Sequence, residues 1–322
     1  MNKIIKTVLC LIIVILAAIG ISLAISNSHQ NSAKLSIVTT NFPSYDFARA
    51  VAGDNADIKM LIKPGTEVHN FEPTPQDIID IKNSDLFIYT GGESDEWIAD
   101  IVDDLDLEET KIVEMMEAVT LLEEEVAPGM ENKELNPSGQ PESDEEIEFD
   151  EHVWTSLKNS QKIVAKISAA LSRIAPEKES TFEENAKNYQ NELAKLDQKI
   201  NEIVIRSKRN ILVFGDRFPF RYLVNDYGLS YYAAFPGCSD QTEASAKTIA
   251  FLVDGVKKNN IPVVLKIELS SGKIAETIAN ETGAIVLTLN SAHNISQEDF
   301  DRGVTYLDIM KENVNVLEKA LD

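Results

Sequence analysis

EKESTFEENAKNYQNELAKLDQKINEIVIR, residues 177–206, contains neither glycine nor proline. Along it Tyr189, Leu193, Leu196, Ile200, Ile203 and Val204 recur at three- and four-residue spacing, which gathers them on one helical face. Pro176 suits the start, because the first turn of a helix needs no N–H there. At 1.5 Å per residue such a helix is about 45 Å long, enough to run the height of the protein and join two lobes.

Strand and helix signals alternate on both sides of it. Before it, Leu35–Thr40, Ile58–Ile62, Leu86–Thr90 and Lys111–Val113 read as apolar, β-branched strands, with helical stretches at Pro43–Val51, Pro75–Lys82 and Trp97–Asp103. Trp154–Ile174 then keeps a helical period until Ala175-Pro176 interrupts it. After the long helix, Asn210–Phe214, Tyr231–Phe235, Val263–Ile267 and Ala284–Leu289 read as strands. Helices are expected near Phe220–Tyr227, Ala244–Lys258 and Lys273–Glu281, with a closing amphipathic helix at Tyr306–Leu321. Alternation of this kind predicts an α/β fold: two similar lobes with mainly parallel four-stranded sheets, each with its own core, joined by one long helix. A ligand is expected at the strand ends where the lobes face each other.

This divides the chain into a lobe at residues 34–176, a connecting helix at 177–207 and a second lobe at 208–322. Glu123–Glu151 interrupts the first lobe with acidic residues, prolines and glycines, and reads as a mobile loop: a solvated one in preference to a loose collector of cations. Residues 1–26 hold two early lysines and the apolar run Val8–Ile25, a secretory signal or a membrane anchor; residues 27–33 are a polar linker. The protein is expected to work outside the cytoplasm, cell-surface or secreted. Of its two cysteines, Cys10 lies in the apolar run and Cys238 stands alone beyond it, so no internal disulfide is expected. A formal net charge of -23 argues against nucleic acid as a partner and suits attraction of cations.

A lone histidine stands in KPGTEVHNFEPTPQD, residues 63–77. Thr74, Pro75 and Asp77 there predict a capped helix start just after a loop carrying His69. The run VHNFEPTPQD resembles the H-x-(Y/F)-E-P-T-P-x-D signature of the solute-binding proteins of bacterial zinc and manganese ABC importers. The resemblance extends over most of the chain and implies a rigid connecting helix between the lobes, with one metal ion in the interlobe cleft. His69 matches the first metal ligand of that family. His152, in EHVW, matches the second, although the proline of the family's D-P-H-V-W is missing.

Two family positions are altered. Counting back from Tyr222 in FRYLVNDYGL puts Arg217 at the third ligand, and a guanidinium has no lone pair to give. Asp216 is the expected substitute; the competing reading is an Asp216–Arg217 charge network that orders the turn. The fourth position falls on Asn290 in TLNSAH, and His293 is the expected replacement, since neutral imidazole binds zinc far better than a carboxamide. Glu243 resembles a helix-opening glutamate of the family, with capping of that helix as the preferred role, and Glu268 is a reserve ligand.

The expected metal ligands are therefore His69, His152, Asp216 and His293, holding Zn²⁺ with Mn²⁺ as the alternative. The expected function is extracytoplasmic capture of a divalent transition metal by a monomer that delivers it to the membrane permease of an ABC importer. A metal-dependent surface adhesin is the alternative. A zinc hydrolase is disfavoured, because no H-E-x-x-H or G-x-S-x-G occurs.

Overall fold

β1 (Leu35–Thr39) lies inside the first sheet, and the chain leaves it first to one side and then to the other. The computed structural model describes residues 34–66, 68, 71–98, 101, 111–130, 148–239 and 243–322. With β2 (Ala56–Met60), β3 (Leu86–Tyr89) and β4 (Ile112–Glu114), β1 forms a sheet of order β2-β1-β3-β4 in which every pair is parallel. The second sheet repeats that order as β6-β5-β7-β8, again all parallel, from β5 (Ile211–Phe218), β6 (Ser230–Pro236), β7 (Val263–Lys266) and β8 (Ile285–Thr288). Where the strand order reverses, the connections leaving the two middle strands diverge and open a crevice at their carboxyl ends.

The capped start expected at Thr74 is present: its Oγ1 accepts from Asp77 N, Asp77 returns a carboxylate to Thr74 N, and the helix spans Pro75–Asn83. The spine differs slightly from expectation. Pro176–Lys178 form a 3₁₀ turn, and the α-helix proper is Glu179–Arg206, 28 residues or about 42 Å. His152 precedes a short 3₁₀ turn, Val153–Thr155, and the helix begins only at Leu157, capped by Ser156. Of the helix expected over Trp97–Asp103, the described residues Trp97, Ile98 and Ile101 are helical and the others lie outside the description. No helix among the described residues is long and apolar enough to cross a membrane, and residues 1–33 are not among them.

The expectation of two separate cores is corrected. One apolar cluster includes Ile37, Phe47, Trp154, Leu193, Phe214 and Leu317, and so runs through both sheets and the spine. Period-2 alternation explains which strand residues join it. Ile37 and Phe214 point into the shared core, while Val38 and Val213 belong to smaller clusters on the other faces of their sheets. The helices Leu157–Ile174, Glu179–Arg206 and Tyr306–Leu321 fill the space between the sheets with buried leucine, isoleucine and valine. Buried Asp46 ties three of the elements together. Its Oδ2 accepts from Tyr189 Oη at 2.9 Å and from Tyr306 N at 3.0 Å, and its Oδ1 pairs with Arg49.

β5 is longer than its apolar run suggested. Gly215 allows this, because a Cβ there would sit 2.4 Å from Ala275 Cα of the helix Lys273–Thr282, which packs directly on the strand backbone. The register with β6 then shifts between Phe214 and Arg217, which moves Asp216 from a loop into the strand.

Candidate metal centre

Three ligand-type side chains converge at the crevice. Glu151, His152 and His293 each offer one atom, those atoms all lie within 4.8 Å of one another, and all three residues are buried. Donors at the bond lengths of a tetrahedral zinc site stand roughly 3.4 Å apart, so shifts of about an ångström would close the trio on an ion. His293 Nε2 is already 3.9 Å from Glu151 Oε1.

Each residue is held from behind. His152 is fully buried, with its Nδ1 3.2 Å from Asp150 Oδ1, the oxygen that also accepts the His152 amide at 2.9 Å. A carboxylate on Nδ1 fixes the tautomer that leaves the Nε2 lone pair for a metal, the usual outer-shell arrangement of ligating histidines. Gly237 closes over the ring: a Cβ there would stand 3.1 Å from His152 Cε1. Trp154 packs against both imidazoles, with centroids 5.5 Å from His152 and 4.9 Å from His293, and its Nε1 donates to Ser291 O at 2.8 Å. Glu151 accepts from Ser94 N at 2.9 Å and from Ser94 Oγ at 2.5 Å, in the turn that follows β3.

His293 sits in a tight turn after β8 in which Ala292 has φ +59°, a left-handed conformation that non-glycine residues adopt rarely. Glu268, just past β7, holds that turn: its carboxylate accepts from Ser291 N at 2.7 Å, Ser291 Oγ at 2.5 Å and His293 N at 3.1 Å. Glu268 is therefore a brace for His293. Replacing it with alanine strips the acceptor from both Ser291 donors and one of the two acceptors from His293 N, and bonds lost in this way cost about 3 kcal/mol in sum. The metal-free Glu268→Ala protein should melt roughly 6–12 °C lower, with Glu268→Gln in between; a shift below about 2 °C would remove the bracing role.

The electrostatics suit a cation. Burial pushes the Glu151 carboxyl above its usual range, with His152 and Ser94 pulling the other way. Burial opposes protonation of His152, but Asp150, then Glu151 and Glu124, outweigh it and raise its pKa. Burial and the charge of Glu151 push Asp95 up to about 7, although the amides of Thr90 and Gly91 hold its carboxylate. A dication placed among these groups relieves the crowding of carboxylates. The cavity beside them measures about 40 Å³ and is lined by Val68, His152, Arg217, Glu268 and His293 among others, which is room for an ion and a few waters.

The expected ligands fare unequally. His152 and His293 are brought together; His69 lies outside the described residues, next in the chain after Val68 of the cavity wall. Asp216 is not brought to the trio. The register shift puts it inside β5, where Oδ1 accepts from Arg217 N at 2.9 Å and Oδ2 from Ile267 N at 3.4 Å, so it joins β5 to the end of β7. Arg217 does reach the cavity wall and donates to Ser239 O at 3.3 Å. Asn290 Oδ1 accepts from Ala292 N at 2.8 Å and shapes the His293 turn. Glu243 is exposed and does not cap its helix, since Ser245 is the N-cap of Ala246–Asn259. Glu151 was not among the expected ligands because it ends an acidic run read as loop; its place beside His152 was the available signal.

Comparison with known proteins finds zinc-binding relatives. The chain is 35% identical over 299 residues to the zinc-binding lipoprotein AdcA of Streptococcus pneumoniae, covering 93% of this chain and 58% of that protein, so it spans little more than half of that relative. It is 30% identical over 307 residues to the high-affinity zinc uptake system protein ZnuA of Bacillus subtilis, covering 95% of this chain and 94% of that protein. The crystal structure of the Zn(II)-bound ZnuA-like domain of S. pneumoniae AdcA superimposes with a TM-score of 0.73 at 33% identity, over 90% of this chain and 100% of that domain. The family model described as zinc-uptake complex component A, periplasmic, matches residues 37–320, and the chain belongs to that ZnuA family.

Proposed function

We propose that this protein captures a single zinc ion outside the cytoplasm and passes it to the membrane permease of an ABC importer. The observation that carries this reading is the buried convergence of Glu151, His152 and His293, each braced by a second polar group and beside a small cavity. His69, which matches the first ligand of the family signature, completes a four-ligand set with them, and Asp216 is left to its backbone amides. Three imidazoles and one carboxylate favour Zn²⁺ over Mn²⁺, which prefers more oxygen. The protein acts as a receptor and not as an enzyme. It works as a monomer of two halves, residues 34–176 and 208–322, on the helix 177–207, and residues 1–26 direct or tether it to the cell surface.

The acidic segment is not one of the ligand sources in this reading, but its ends are anchored. Glu123 pairs with Phe149 in an isolated bridge, Leu122 N donates to Tyr222 Oη, and Glu125 pairs with Arg221. Residues 131–147 lie between those anchors and outside the description. Calorimetry with a competing chelator should give one tightly bound zinc per chain, with affinity within about threefold after excision of 131–147, since loop length affects stability only weakly. Vesicles carrying the cognate permease should import zinc only when the loaded protein is supplied. Absence of a one-to-one tight site, or transport that ignores the protein, would remove the proposal.

A further inference from the structure

Asn294, next to His293, spends its side chain on the other half of the protein. Its Nδ2 lies 3.0 Å from Lys63 O and 2.7 Å from Thr66 O, and its Oδ1 accepts from Ile295 N at 2.8 Å. Gly65 N donates in return to Ile295 O at 2.7 Å. Gly65 has φ +78°, so the turn that delivers this amide relies on glycine. Asn294 is 3% exposed, and its side-chain amide donates to two carbonyls more than 220 residues away in sequence.

The two segments it joins both border the cavity. From one side come Thr66 and Val68, and from the other Ser291, His293 and Asn294 itself. His69 follows Val68 directly in the chain. A turn held to the other half by three hydrogen bonds therefore ends three positions before one proposed ligand in the sequence and is anchored immediately after another.

We propose that Asn294 is a positioning residue for metal capture, which sets the Lys63–Thr66 turn against the His293 loop before an ion arrives. The inference rests on the reading of His69 as a ligand. Its physical content is preorganisation: a turn already fixed against the His293 loop need not be ordered at the moment of binding, so affinity gains and release slows. Outer-shell partners of metal ligands typically change affinity by about 10–100-fold when mutated.

The test is a double-mutant cycle on the full chain with zinc as the probe, measured by chelator competition and by the rate of release to excess chelator. Asn294→Asp keeps the side chain's shape and its acceptor for Ile295, but removes both donors and turns an anionic oxygen towards two carbonyls. It should weaken zinc binding by about 10–100-fold, mostly through faster release. In the His69→Ala background the same change should alter affinity by less than about threefold, because a residue that acts through the His69 segment has nothing left to position. Asn294→Ala serves in the same cycle if the aspartate variant does not fold. Full additivity would show a general structural role and overturn the proposal, as would unchanged affinity of Asn294→Asp alone. Unchanged affinity of His69→Ala would overturn the ligand reading and this inference together, a pattern distinct from either of the others.

Discussion

His152→Ala should weaken zinc binding at least about a hundredfold, close to 3 kcal/mol, because a four-ligand zinc site is worth roughly 10–16 kcal/mol and loses about a quarter of it. The loss should exceed that for any change in the surrounding shell, since His152 is completely buried and water replaces its nitrogen poorly. The variant also loses the partner of Asp150 and part of the packing on Trp154. Its metal-free form should therefore melt lower by an amount worth about 1–3 kcal/mol while remaining folded. His69→Ala should lose a similar share of affinity. Calorimetry against a chelator of known strength decides the matter: an affinity within about tenfold of wild type, in a variant shown to be folded, would exclude His152 as a ligand.

The second large effect is a divergence of stability with pH between the metal-free and the zinc-loaded protein. In the metal-free fold, burial raises Glu151 and Glu268, burial together with Glu151 brings Asp95 to about 7, and neighbouring carboxylates raise His152 against the effect of burial. A group whose folded pKa lies above its unfolded value contributes stability that is present at low pH and lost as pH rises through the folded value. All four have this sign, so the metal-free protein should lose stability from roughly pH 5 towards pH 8.

Zinc acts in the opposite direction, because its ligands must be deprotonated before they bind. At about a thousand times the dissociation constant it should add roughly 4 kcal/mol, a melting shift on the order of 10 °C near neutrality. That shift should shrink below about pH 6, where protons compete for the imidazoles. Paired melts with chelator and with zinc at three pH values would show the two curves separating as pH rises. A gap that stays constant across the range would mean that neither the carboxylates nor the histidines are linked to metal.

Much of the architecture was legible because its signals are local. The spine announced itself by the spacing of Leu193, Leu196, Ile200 and Ile203, and the helix at Pro75 by Thr74 and Asp77, both of which are properties of a few neighbouring residues. His152 and His293 were singled out through the EHVW and TLNSAH segments, whose likeness to the family pattern is itself local in sequence. The place of Asp216 inside β5 was not legible because it depends on a register shift in the strand and on the close approach of Ala275 to Gly215, neither of which a linear sequence displays. Glu151 and Asp150 were overlooked for the converse reason: composition assigned them to a solvated acidic stretch, whereas the fold buries both. The shared core was not foreseen, since apolar periodicity tells which face of a helix is buried and not which sheet lies against it.

Tyr306 opens the last helix of the chain, yet it is fully buried in the first half. Its amide meets Asp46, its hydroxyl donates to Trp154 O at 2.5 Å, and its ring packs on Phe47 with centroids 4.9 Å apart. The carbonyl of Trp154, one of the walls of the metal centre, is thus satisfied by a residue synthesised more than 150 positions later. For a polypeptide that emerges amino end first, the first half stays unfinished until the carboxyl end appears. The trio of Glu151, His152 and His293 is likewise complete only once the second half has been made, so the order of synthesis leaves the metal centre among the last features to close.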